Sequence, residues 1–116
     1  MTPSAVLPVI LLSIAAVGCA RSVVVVVVNA ADTSVSDVTV RHSGGETKLG
    51  TLQAQETRTL RILPAGESDA TLSFFDGNRV FHETKLDVYF ESGFRGSLTI
   101  TIGRKFDVAW VNTLGP

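Results

Sequence analysis

Six consecutive valines, residues 23–28, constrain the fold more than any other feature of the chain. A β-branched side chain is stiff at χ1 and crowds the preceding turn of a helix, whereas it fits a pleated surface well. The run therefore predicts a β-strand. It has no polar alternate positions, so it predicts a strand near the centre of a sheet or one buried on both faces.

The residues that follow keep a period of two, and no stretch after Cys19 has a convincing helical period. Residues 37–41 alternate, with Val38 and Val40 inward. Residues 48–52 read as a short strand or an edge. Residues 56–63 alternate around Leu60 and Ile62, and residues 70–74 around Ala70, Leu72 and Phe74. Residues 80–90 form the longest candidate. Leu86, Val88 and Phe90 share one of its faces; Glu83, Lys85, Asp87, Tyr89 and Glu91 share the other, a solvated mixed-charge face. Leu98, Ile100 and Ile102 point inward in the next segment, and Phe106, Val108 and Trp110 share one face of the last. Asp76-Gly77-Asn78 predicts a hairpin in which the Asp-Gly step supplies the positive φ.

Roughly seven to nine short strands, punctuated in this way, predict an all-β protein built as a single antiparallel β-sandwich. The stretch Leu52-Gln53-Ala54-Gln55-Glu56-Thr57 resembles the "L-x-x-x-E-T" hairpin of bacterial immunoglobulin-like envelope modules. That resemblance implies an immunoglobulin-like sandwich, although the cysteine-tryptophan-cysteine core of true immunoglobulin domains is absent.

The N-terminal segment is of a different kind. No Asp, Glu, Lys or Arg precedes Arg21. Residues 9–17 are an apolar core with the length of a signal-peptide h-region, and the whole apolar run is too short for an ordinary membrane span. Residues 1–18 are therefore expected to form a hydrophobic signal helix. At its end, Ala16-Val17-Gly18-Cys19 resembles the lipobox of bacterial lipoproteins. The resemblance implies cleavage before Cys19 and acylation of its thiol, and two or three acyl chains anchor a protein stably in a membrane. Ala20, where Asp is absent, resembles lipoproteins that leave the inner membrane. The implied location is the bacterial cell envelope, at the outer membrane or on a periplasmic face. Residues 19–21 would be a minimal tether and residues 22–116 the sandwich, held close to the bilayer and to partners in it. An ordinary secretory signal cut near Gly18 or Ala20, or an uncleaved anchor helix, are the competing readings.

Composition narrows the function. The chain has 116 residues, enough for one domain. Ten Lys and Arg against eleven Asp and Glu leave a net charge of -1, without the basic excess of a nucleic-acid binder. One cysteine excludes a disulfide framework and a multi-cysteine zinc site. A hydrophobic content of 45% excludes a disordered chain.

Candidate chemistry is sparse. His42 and His82 both continue an inward parity near a strand end, and they are the only candidate metal or acid-base pair. No third ligand shares their parity, so no metal or other cofactor is expected. There is no Gly-x-Ser-x-Gly elbow, and Ser22, Ser34, Ser43 and Ser73 have no implied His-Asp partner; no enzymatic activity is expected. Asp76 and Asn78 read as turn residues, with calcium binding as the alternative. Gly44-Gly45 leads into no phosphate-binding helix. Arg104-Lys105 is a basic turn that solubilises an edge or rests on an anionic membrane. Tyr89, Phe94 and Arg95 offer an aromatic-and-arginine surface of the kind that forms binding hot spots, against a reading in which Phe94 folds back as a cap. The sequence thus points to a lipid-anchored structural or protein-binding sandwich. The alternatives are a secreted or periplasmic module that binds a small ligand or metal, and a small envelope enzyme.

Overall fold

The computed structural model describes residues 22–116. The expected signal helix, the lipobox and Cys19 lie outside the described residues. Eight strands follow: β1 Val23–Asn29, β2 Val35–His42, β3 Gly45–Leu52, β4 Thr57–Ile62, β5 Ser68–Phe75, β6 Phe81–Phe90, β7 Gly96–Ile102 and β8 Val108–Asn112. They form two four-stranded sheets, ordered β4-β1-β7-β8 and β3-β2-β5-β6. Among the described residues no helix is long and apolar enough to cross a membrane.

The core lies between the sheets and follows the alternation of the sequence. Val23, Val25, Val27, Leu98, Ile100 and Ile102 from one sheet meet Val38, Val40, Leu72, Phe74, Leu86 and Phe90 from the other. Phe106, Val108 and Trp110 are half-buried against this cluster. The valine strand is central, flanked by β4 and β7. It is not buried on both faces: Val23, Val25 and Val27 are fully buried, whereas Val24, Val26 and Val28 are half-buried on the outer face. Only one face of this sheet is covered by the other sheet, so only every second valine enters the core.

Three further expectations need correction. The sandwich is not wholly antiparallel, because β1 and β7 pair in parallel, with Val25 opposite Leu98. Successive strands alternate in direction, so the first and seventh run the same way and become parallel once they are neighbours. The immunoglobulin strand order is also not found. That fold groups its first, second, fourth and fifth strands in one sheet; here β1 and β4 lie in one sheet and β2 and β5 in the other. Finally, residues 52–57 do not close a hairpin. They carry the chain from β3 in one sheet to β4 in the other. Gln55 turns this corner with φ 68°, while the Glu56 carboxylate accepts the Gln53 N–H at 2.8 Å.

The alternating strand directions define two ends. Val23 pairs with Ile62 and Gly96, so the chain enters the sandwich beside residues 43–44, 63–67, 91–95 and the C-terminal residues. The far end holds the connections 30–34, 53–56, 76–80 and 103–107.

Candidate functional site

The two histidines do not meet. His42 closes β2 at the entry end, and its Nδ1 accepts the Gly44 N–H at 3.2 Å. Burial lowers its pKa. His82 lies at the far end, opposite Phe74. Arg41 pairs with Thr71, so His42 sits level with Ala70, four residues or about 13 Å along β5 from Phe74. The described residues contain no group of three or more His, Cys, Asp and Glu that could hold a metal ion.

His82 is instead part of an aromatic stack. Its ring lies 4.9 Å from Phe74 at an interplanar angle of 10°, and 5.5 Å from Phe106. Its Nε2 lies 2.8 Å from Asp76 Oδ2. Asp76 Oδ1 accepts the backbone N–H of Asn78 at 2.8 Å and of Val80 at 3.1 Å. The buried carboxylate thus organises its own hairpin. Its bonds go to His82 and the turn, an arrangement that gives a calcium ion no support.

At the entry end, three loops are tied together. Ser92 Oγ accepts the Gly66 N–H at 2.9 Å and donates to the Pro64 carbonyl. Ser43 Oγ donates to the Ala65 carbonyl, and Ser68 Oγ accepts the Ser43 N–H. Gly96 is required here, because a Cβ on it would lie 2.4 Å from the Thr113 carbonyl oxygen. Phe94 packs half-buried against the core and meets Tyr89 edge-on at 5.9 Å. Tyr89 remains 51% exposed. Its hydroxyl donates to Glu91, which with nearby Glu67 pushes its pKa up to about 12. Arg95 is exposed, and its backbone bridges to Gly115. Tyr89, Phe94 and Arg95 therefore share one end, with Phe94 seated as a cap. Glu83 pairs with Arg41, and Lys85 with Asp69 at 3.2 Å, on the solvated outer face. Arg104 and Lys105 turn at the far end, where Arg104 lies 3.7 Å from Asp32.

The far end also holds a cluster that the sequence reading missed. Val80 and Phe81 are adjacent in sequence and 52% and 51% exposed. The Phe81 ring lies 5.2 Å from Phe75, tilted by 54°. Beside them, Ser36, Asp37, Phe75 and Arg79 line a pocket of about 150 Å³. The pocket is built from irregular backbone. The β2 register shifts between Val35 and Val38, and Asp37 and Arg79 have φ of 49° and 64°. The positive φ of the hairpin thus falls on Arg79 rather than on the Asp-Gly step. Asp76 N–H bonds the Val80 carbonyl and Arg79 N–H the Asp76 carbonyl, closing the wider loop that needs it there. Arg79 makes no ion pair among the described residues. A signal was present in the sequence: Phe74-Phe75 and Val80-Phe81 are apolar doublets, and each must place one member on the outer face.

No family model matches the chain. No curated protein matches it. Among solved structures, the chain is similar to a protein from Eubacterium rectale whose structure was determined by NMR, with a TM-score of 0.57 and 13% sequence identity, over 82% of this chain and 91% of that one. A likeness at this identity extends to the fold and no further.

Proposed function

We propose that the protein is a membrane-anchored lipoprotein of the bacterial cell envelope, whose sandwich binds a protein partner and carries no catalysis. One observation carries this reading: the chain enters at one end of the sandwich, and the exposed Phe81, Val80 and Arg79 lie at the other. A lipid at Cys19 would sit three residues before Ser22. Tyr89, Phe94 and Arg95 would then face the bilayer, and Arg104-Lys105 would point away from it. The far-end surface would be presented to the periplasmic side or to the medium. His82 with Asp76 is the arrangement nearest to an acid-base unit, yet its ring is packed against Phe74 and Phe106 with no hydroxyl bonded to it among the described residues.

The test is the intact mass of the mature protein extracted from membranes, beside a Cys19→Ala chain. A species that begins at Cys19 and carries diacylglycerol is the expected result. An unmodified chain beginning near Ala20 makes the protein a secreted sandwich. A chain retaining Met1 makes the apolar segment an anchor helix.

A further inference from the structure

We infer that the far-end corner formed by Ser36, Asp37, Phe75, Arg79 and Phe81 seats an extended, uncharged peptide segment of a partner protein, with one aliphatic or aromatic side chain in the pocket. This names the partner class of the binding reading above, and it rests on that reading for protein binding but not for anchoring.

Size is the first argument. A cavity near 150 Å³ is large enough to take a benzene molecule, so the pocket matches a single leucine- or phenylalanine-sized side chain. The Phe75–Phe81 pair and Val80 supply apolar surface beside it. Exposed aromatic groups beside an arginine are the residues from which binding hot spots are most often made.

Charge is the second. The residues that line the pocket include one arginine, one aspartate and one serine, Arg79, Asp37 and Ser36. Their formal charges sum to zero. An anionic ligand attracted by Arg79 is repelled by Asp37, and a cationic ligand meets the reverse. A peptide unit is neutral and offers both a carbonyl for Arg79 and an N–H for Asp37. The same pairing of opposite charges therefore favours a dipolar, uncharged segment.

Construction is the third. Both charged residues hold a left-handed backbone conformation, which costs a non-glycine residue about 1–2 kcal/mol, and β2 carries a bulge at the same place. Bulges redirect side chains and gather near binding sites. On the same outer face Arg41 pairs with Glu83, and Lys85 with Asp69. Arg79, which makes no ion pair among the described residues, stands in this corner beside the Phe75–Phe81 pair.

The experiment titrates the full-length chain, isotopically labelled in detergent micelles, with the blocked peptide N-acetyl-Thr-Leu-Thr-Phe-Thr-amide. Two companion peptides replace the Phe by Asp or by Lys. The expected result is saturable shifts of the Ser36, Asp37, Phe75 and Arg79 amides with the neutral peptide, and at least fivefold weaker binding of both charged ones. Phe81→Ala, at an exposed position, should weaken the neutral peptide at least fivefold, and Phe94→Ala at the opposite end should leave it unchanged. Shifts centred on the entry end, equal response to all three peptides, or full binding by Phe81→Ala would each overturn the proposal. The titration is repeated on Cys19→Ala. Binding there should be unchanged, so loss of the anchoring reading leaves this result standing, and absence of peptide binding leaves the mass measurement standing.

Discussion

His82 Nε2 lies 2.8 Å from the Asp76 carboxylate, although six residues and a hairpin separate the two. The bond joins the start of β6 to the end of β5 and holds the His82 ring flat on Phe74. The hydrogen bond from His82, then those from the Val80 and Asn78 N–H groups, hold the Asp76 carboxyl below its ordinary value of 3.8. A depressed carboxylate contributes stability above its unfolded pKa, and that contribution is lost as pH falls through the folded one.

Wild-type thermal stability should therefore fall as the pH drops below about 4. Asp76→Asn should lower Tm at neutral pH by roughly 5–10 °C, through its weakened bonds to His82 and the turn. It should also flatten the acid limb of the stability profile. Melting curves from pH 2 to 7 check both points, and an unchanged acid limb would place the acid sensitivity elsewhere.

Asn29 is fully buried at the end of β1. Its Nδ2 donates to the carbonyls of Thr33, Leu52 and Gln53, and its Oδ1 accepts the Ala31 N–H. One side chain thus joins two connections at the far end. Asn29→Ala strands these groups and should cost about 2–3 kcal/mol. Asn29→Asp should cost more at neutral pH, because it sets a carboxylate against three carbonyl oxygens, and should recover as the carboxyl is protonated. Urea unfolding at pH 7 and pH 4.5 separates the two variants.

The fold was legible wherever a side chain's face depended on its parity. Val38, Val40, Leu72, Phe74, Leu98, Ile100 and Ile102 are all buried as their alternation requires. Sheet order was not legible, because it is set by contacts far apart in sequence. Nothing in residues 23–28 or 97–101 states that Val25 will lie beside Leu98 in parallel. The turn chemistry misled at Asp76, whose carboxylate bonds His82 and not the turn alone. The far-end corner was hidden for a similar reason. Asp37 and Phe75 meet only through a bulge in β2, and a bulge shifts parity without leaving a mark in composition.

The valine strand gives a direct check on parity. Val25 is fully buried, whereas Val26 is half-buried on the outer face opposite Thr59 and Thr99. Val25→Thr places a hydroxyl in the core and should cost about 1–3 kcal/mol. Val26→Thr should change stability by less than about 0.5 kcal/mol. Denaturant midpoints of the two variants make the comparison, and equal losses would mean that both faces are covered.

Tyr89 is the one tyrosine of the chain, so ultraviolet absorbance reads its ionisation without interference from another. The wild-type hydroxyl should titrate near 12, held there first by its hydrogen bond to Glu91. Glu91→Gln removes the charged acceptor and should bring the midpoint down toward 10. Phe94→Ala leaves Glu91 in place and should leave most of the elevation. A wild-type midpoint near 10 would show that Tyr89 and Glu91 are not bonded in solution.

Phe106 holds φ of 65°, a conformation that glycine adopts freely and phenylalanine rarely does. It closes the β7–β8 hairpin, where its N–H bonds the Gly103 carbonyl at 2.9 Å. What the strained backbone gains is the position of the ring, 6.4 Å from Phe74 and 5.5 Å from His82. Two substitutions separate these effects. Phe106→Ala loses the ring and keeps the strained backbone. Phe106→Gly loses the ring and relieves the strain. Both should be less stable than wild type, and Gly should exceed Ala by about 1 kcal/mol, the reverse of the order in ordinary strand positions. Thermal melts of the three chains decide it. If Ala equals or exceeds Gly, the hairpin relaxes out of the left-handed conformation once the ring is gone, and the ring itself is what holds the turn in that shape.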